Sequence, residues 1–272
     1  MTSTPTTGRR TDRRVIDVLS KVPQVTLAFW VIKILATTLG ETGGDALSMT
    51  LKLGYAVSTL IFLGFFVVML APQVAAKRYH PFLYWAVVAA TTTVGTTMSD
   101  YLDRTLKLGY VKSSIILFCG VLVVLFVWHR STGRIEFEHI TTRPNEIFYW
   151  VTILVSNTLG TALGDFVATT TGLGFERGSL EFAGLLALVA LAHFLTKIPK
   201  SVIFWSAYVL TRPLGATLGD TLTKSHVEGG LGLGRIISSL VIAACIVIGI
   251  IVTSRWEGRA ATKPDSDARR VR

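Results

Sequence analysis

Charge is scarce in this chain, and the scarcity excludes more than any motif present. Only 16% of its 272 residues are charged, half belong to the hydrophobic set and the mean hydropathy is +0.54. An ordinary soluble domain carries about a quarter charged residues. Cysteine is nearly absent: Cys119 and Cys245 each lie alone in an apolar run, which excludes a disulfide framework and makes them small hydrophobes. Histidine is equally thin, with His80, His129, His139, His193 and His226 scattered and only His193 inside an apolar run, so no transition-metal cage is suggested. There is no GxSxG, no Walker-type loop, no HExxH and no dinucleotide fingerprint, and an enzyme is therefore unsupported. Residues 1–21 are polar and Arg-rich without the apolar core of a cleavable signal peptide.

What is present is a repeat. Trp30, Gly40, Asp45 and Gly54 return with the same spacing as Trp85, Gly95, Asp100 and Gly109, and as Trp150, Gly160, Asp165 and Gly174. A fourth copy, Trp205, Gly215 and Asp220, reaches its last glycine, Gly234, after a five-residue insertion. An aromatic precedes each tryptophan: Phe29, Tyr84, Tyr149 and Phe204. Such periodicity sets the architecture before any single residue is read. Each copy holds two apolar runs, first Val22–Leu39, Phe82–Val94, Ile147–Leu163 and Val202–Leu218, then Tyr55–Ala71, Ile115–Trp128, Leu180–Leu195 and Ile236–Thr253. With their flanking small and aromatic residues these approach the ~20 residues that a bilayer core requires. Pro23, Pro81, Pro144 and Pro199 mark the expected starts of the first helices.

The expected fold is an all-α polytopic membrane protein. Its eight transmembrane helices form four parallel two-helix repeats, pseudo-symmetric about an axis along the membrane normal. The expected segments are a flexible cytoplasmic N-terminus (1–21), repeats at 22–78, 79–130, 146–198 and 199–254, a cytoplasmic linker (131–145) and a disordered cytoplasmic C-terminus (255–272). Eighteen of the 27 Lys and Arg residues fall in the tails and alternate loops. The positive-inside rule then puts both termini in the cytoplasm and reads the net charge of +10 as orientation, not as a nucleic-acid footprint. The partners expected are the lipid bilayer and a small ion.

Asp45, Asp100, Asp165 and Asp220 lie about 20 residues, or ~30 Å of helix, beyond the proline markers, so they should share one level. Each could instead cap a short helix after a break at the preceding Gly or Ser. Four carboxylates brought together need a proton, a cation or a basic partner. The departures between copies say more. Three residues after each Trp stand Lys33, Val88, Ile153 and Tyr208; seven after stand Thr37, Thr92, Asn157 and Arg212; eleven after stand Glu41, Thr96, Thr161 and Ala216. Lys33, Glu41 and Arg212 are thus single-copy charges inside spans, where charge usually faces the bundle interior. Thr37 and Thr38 add hydroxyls beside them. The four Asp and Glu41 against Lys33 and Arg212 leave a formal charge of −3, for which a hard divalent cation or protons are the natural occupants.

The run Phe29-Trp30-Val31-Ile32-Lys33-Ile34-Leu35-Ala36-Thr37-Thr38-Leu39-Gly40-Glu41-Thr42 resembles the first repeat of a bacterial integral membrane family built from four tandem copies of a repeat of unknown function. Thr211-Arg212-Pro213-Leu214-Gly215-Ala216-Thr217-Leu218-Gly219-Asp220 resembles its last repeat. The resemblance implies an eight-span inner-membrane protein and no activity.

Three functions are open at this point. The leading one is a secondary carrier for a small ion, with a divalent metal ion like manganese or magnesium, or proton-coupled export, as its sharpest form. Asp45, Asp100, Asp165, Asp220 and Glu41 would hold the ion, and Lys33 and Arg212 would be counter-charges. The second is a non-transporting assembly or binding protein whose charges are structural pairs. The third is a proton-coupled anion or organic-acid carrier using Lys33 and Arg212.

Overall fold

The computed structural model describes residues 21–135, 140 and 142–262, and over these the chain is all α. Eight α-helices follow in order: α1 (Leu27–Asp45), α2 (Tyr55–Ala75), α3 (Pro81–Asp100), α4 (Tyr110–Thr132), α5 (Arg143–Asp165), α6 (Gly174–Leu195), α7 (Lys200–Thr223) and α8 (Arg235–Thr262). The odd-numbered helices close a ring, each packed on the next and α7 back on α1. The even-numbered helices lie outside. Each packs on the first helix of the following copy, α2 on α3, α4 on α5, α6 on α7 and α8 on α1. Copies are therefore interlocked, and none completes its own packing alone.

The polarity is inverted relative to a soluble bundle. The outer helices present large apolar side chains outward, among them Leu60, Phe126, Phe194 and Ile237. The ring buries Thr37, Thr92, Thr96, Thr161, Asn157 and Arg212 instead. Five helices, α2, α4, α5, α6 and α8, are long and apolar enough to cross a membrane; α1, α3 and α7 fall outside that group because of their threonines and charges. The inner threonines satisfy their hydroxyls by donating to carbonyls three or four residues back, as Thr38 does to Ile34 (2.9 Å) and Thr97 to Thr93 (3.1 Å).

Close approach of the ring helices explains the repeated glycine ten residues after each Trp. A Cβ built at Gly40 would lie 2.5 Å from Thr92 Cβ, and one at Gly95 3.0 Å from the Asn157 backbone. At Gly160 and Gly215 it would overlap the side chains of Arg212 and Thr37. Each of these glycines receives the side chain seven residues after the next copy's Trp. The glycines fourteen after Trp repeat the arrangement, Gly44 against Thr96, Gly164 against Ala216 and Gly219 against Glu41. The aromatics close the same cycle at the other end. Phe29 meets Trp85 (5.6 Å between ring centroids), Tyr84 meets Trp150 (5.5 Å), Tyr149 meets Trp205 (6.1 Å) and Phe204 meets Trp30 (5.7 Å).

Several expectations are corrected. The first helix begins at Leu27, capped by Thr26 accepting from Phe29 N–H (3.3 Å), and not at Pro23, whereas α3 does begin at Pro81. No helix breaks before its Asp. In three copies the α-helix runs through the Asp into a π-helical turn, Ala46–Thr50, Tyr101–Thr105 or Phe166–Thr170, and Asp45, Asp100 and Asp165 keep helical dihedrals without a side-chain capping bond. The capping alternative therefore fails. At the C-terminus α8 continues to Thr262, so the tail expected to be disordered from residue 255 begins as helix. Residues 1–20, 136–139, 141 and 263–272, which include most of the expected flexible terminus and part of the linker, lie outside the described residues.

Gly→Ala inside a helix normally stabilises by up to ~1 kcal/mol. Gly64→Ala and Gly184→Ala, whose new methyls meet nothing within 4 Å, should follow that rule. Gly160→Ala and Gly215→Ala should instead destabilise by ~1–3 kcal/mol through overpacking. Unfolding of the four variants in detergent micelles measures the difference in sign.

Candidate functional site

The ring's interior is built in layers four residues apart, because one face of each inner helix points inward at every turn. Counted from each Trp, the layers lie at −1 (Phe29, Tyr84, Tyr149, Phe204), +3 (Lys33, Val88, Ile153, Tyr208), +7 (Thr37, Thr92, Asn157, Arg212), +11 (Glu41, Thr96, Thr161, Ala216) and +15 (Asp45, Asp100, Asp165, Asp220), and every member is buried. The single-copy charges and the four Asp thus belong to one internal column.

Arg212 occupies its middle. Its Nε donates to the Asn157 carbonyl (3.2 Å), Nη1 to the Thr37 carbonyl (3.0 Å) and Nη2 to the Thr92 carbonyl (3.2 Å). These are the three residues at its own level in the other copies. Nη2 also reaches the layer below, donating to the hydroxyls of Thr96 and Thr161 (2.6 Å for Thr161) and lying 3.5 Å from Glu41 Oε2. Thr96 Oγ1 donates to the same Glu41 oxygen (3.0 Å). Only the planar five-donor guanidinium can serve so many acceptors from one point. Of the two threonines expected at the site, Thr37 belongs to this cluster and its hydroxyl also donates to the Thr211 carbonyl (3.0 Å), whereas Thr38 bonds only its own helix.

One layer away, Lys33 is fully buried, and its Nζ has no hydrogen-bond acceptor among the described residues; it lies 4.3 Å from the Tyr208 ring centroid. Lys33 and Glu41 therefore do not pair with each other. Beyond the aromatic layer, Lys21 and Glu146 form a buried ion pair (2.7 Å), a contact that the sequence did not indicate.

The Asp layer is divided into two halves by cations. Arg104 lies 2.8 Å from Asp100 and 3.5 Å from Asp165; Lys224 lies 3.2 Å from Asp220 and 3.3 Å from Asp45. Arg235 adds a second contact to Asp45 (3.3 Å). Arg104 and Lys224 were missed as site residues, although a signal existed. They stand nineteen residues after their tryptophans, the next layer in the period of four, opposite Met49 and Thr169. The formal −3 expected for the core is cancelled by these three cations.

A single ion cannot meet all five proposed carboxylates, because Asp100 and Asp165 close on Arg104. The oxygens of Glu41, Asp45 and Asp220 do lie within 4.8 Å of one another. Three buried carboxylates suit a hard divalent cation in kind, but Lys224 and Arg235 already meet two of them. A cavity of about 430 Å³, lined by Arg104, Tyr110, Thr169, Phe175, Lys224 and Glu228 among others, lies against this end of the column.

The chain belongs to the family described as Repeat of Unknown Function (DUF347). The family's model matches four times, over residues 28–79, 83–134, 148–198 and 203–258, so each match takes in one ring helix and one outer helix. No curated protein and no solved structure matches the chain. The DUF347 repeat thus coincides with the structural unit, and the four-repeat expectation stands.

Removing one partner of a buried ion pair costs ~3–5 kcal/mol. Arg212→Met should destabilise by about that much, and Arg212→Lys should not restore it, because a lysine lacks the fork. In a double-mutant cycle with Glu41→Gln, the two losses should fall short of additivity by ~0.5–3 kcal/mol. Denaturant unfolding in micelles reads all four forms.

Proposed function

We propose that this chain is a membrane-embedded secondary carrier for a small ion, most sharply a divalent cation like manganese or magnesium or one exported in exchange for protons. In this reading all eight helices cross the bilayer. The four repeats enter from the same side around an axis along the membrane normal, and both termini are cytoplasmic at a bacterial inner membrane. The three polar helices cross because the ring shields them from lipid, as a buried polar helix requires.

The observation that carries the proposal is an uninterrupted buried column of ionisable groups inside an apolar shell. Lys33, Arg212, Glu41 and the four Asp follow one another at helical-turn spacing and end beside an open cavity. Ionisable residues at membrane depth usually mark ion paths or proton relays. The cluster of Glu41, Asp45 and Asp220 is the cation site. An anion carrier is less well supported, because all three Arg212 nitrogens bond protein acceptors.

A second reading, an assembly protein with structural ion pairs, is favoured by one fact: each of the five carboxylates has an internal cation within 3.5 Å. Flux separates the two. Purified protein in proteoliposomes should carry out counterflow of manganese, magnesium or protons, and Asp45→Asn or Asp220→Asn should lower it at least about tenfold. If no cation or proton moves with folded wild-type protein, the assembly reading replaces the carrier.

A further inference from the structure

The fourth copy departs from the others in its connection between helices, and that departure surrounds Lys224. In copies one to three, nine residues from Asp to Gly suffice; here Asp220 is separated from Gly234 by five more. The insertion is a bonded lip. Leu231 N–H donates to the Thr221 carbonyl (2.7 Å), Leu233 N–H to Leu222 (2.8 Å) and Gly232 N–H to Lys224 (2.8 Å), while Lys224 N–H donates to Asp220 (2.8 Å). The Lys224 backbone is thereby held on both sides. Its side chain is a flexible four-carbon stem. It is buried at the junction of the Asp layer with the cavity.

Its ammonium lies between Asp45 Oδ2 and Asp220 Oδ1, where a small cation between copies one and four would sit. Asp220 is 1% exposed, and its Oδ1 lies 3.2 Å from the Lys224 ammonium. A buried carboxylate oxygen is costly to leave without a donor, so it would need a cation as ligand whenever that ammonium left it. Glu228 lines the same cavity, an exposed carboxylate in a capping box with Ser225, whose hydroxyl (2.7 Å) and N–H (3.2 Å) both donate to Glu228 Oε2. These bonds hold the Glu228 carboxyl below its usual range, so it stays ionised. The cavity's 430 Å³ has room for an ammonium group and several waters.

Resting on the carrier reading above, we infer that Lys224 is a tethered competitor of the transported cation, moving its ammonium between the Asp45–Asp220 pair and Glu228 in the cavity. When the cation binds Asp45, Asp220 and Glu41, the ammonium leaves to Glu228. When it returns, the cation is expelled. No bond is made or broken and no proton is transferred; one internal positive charge changes carboxylate partners. Arg235 stays on Asp45 throughout and limits how tightly the cation can be held. Lys224 is in this sense a positioning and specificity residue, tuning affinity toward values at which release is fast.

The test uses the full chain in detergent micelles, with manganese binding measured by titration calorimetry and magnesium as a second probe. Lys224→Gln removes the competitor and should tighten manganese binding about tenfold or more. Glu228→Gln removes the alternative partner, leaves the Asp layer untouched and should weaken binding by a few-fold, roughly three- to tenfold. Opposite signs from two variants are what a structural ion pair would not give. If Lys224→Gln binds manganese no more tightly than wild type, or Glu228→Gln strengthens binding, the competitor role is overturned. Should Lys224→Gln fail to fold, the exposed Glu228→Gln variant still decides, with unchanged affinity counting against the role. If wild type and both variants, all folded, bind neither ion, the cation-carrier reading itself falls.

Discussion

A guanidinium that satisfies three helices at once is the constraint on which this fold turns. Arg212 donates to the carbonyls of Thr37, Thr92 and Asn157, each at the level that Arg212 holds in its own copy. A helical carbonyl already bonded within its own helix has a second lone pair, and in a buried core a cation can use it. The geometry then demands that four backbones approach closely enough for one side chain to reach all of them. This is why the residue facing each intruding side chain must lack a Cβ. The glycines ten residues after the tryptophans and the single arginine in the fourth copy are two parts of the same requirement.

Burial also decides how the carboxylates are held. Desolvating a charge is costly unless a partner comes with it, and the four Asp could not share a ring unaided. The structure divides them into two pairs, each closed by a cation from the next layer down the column. Along the column Glu41 and the four Asp face Lys33, Arg212, Arg104, Lys224 and Arg235, five charges of each sign. A fixed cavity of negative charge is therefore not what the column offers. Any cation that enters has to displace a cation already present, which shifts attention from the ligands to their internal partners.

Much of this was legible in the chain. The Trp, Gly and Asp spacing gave four copies and eight helices, and the departures at Lys33, Arg212 and Glu41 lay at the interior positions. What escaped had physical causes. A break at the Gly or Ser before Asp is one of the two alternatives that the sequence leaves open, because glycine weakens helices; in the structure Gly44, Gly164 and Gly219 serve close packing and the helix continues through them. Arg104, Lys224 and Arg235 lie beyond the apolar runs, so hydropathy does not mark them as interior, although Arg104 and Lys224 continue the period of four. The Lys21–Glu146 pair joins segments 125 residues apart, and no local pattern announces such a contact. The tryptophans that mark the repeat are packing residues, with Trp85 and Trp150 buried against the preceding copy's aromatic.

The two closed halves of the Asp layer are not equivalent, and their chemistry differs in the direction that exchange requires. Arg104 pairs with Asp100 and Asp165 through Nε and Nη2 while Nη1 donates to the Tyr55 hydroxyl (3.3 Å), so all three of its nitrogens are committed in a rigid plane. Lys224 offers a single nitrogen on a flexible stem, in a cavity that Arg104 and the further carboxylate of Glu228 also line. A planar fork held at three points resists displacement; a point charge on a stem yields to a competing ion. Copies two and three are thus joined by a planar fork, and copies four and one by a point charge on a flexible stem. The side of copies four and one also holds Glu41, Arg212, the inserted lip and Lys33, whose ammonium lies 4.3 Å from the Tyr208 ring centroid, so the three single-copy charges of the spans all come from copies one and four. A frame of four like units supplies the rigidity, and the asymmetry of one seam supplies the place where an ion could be exchanged.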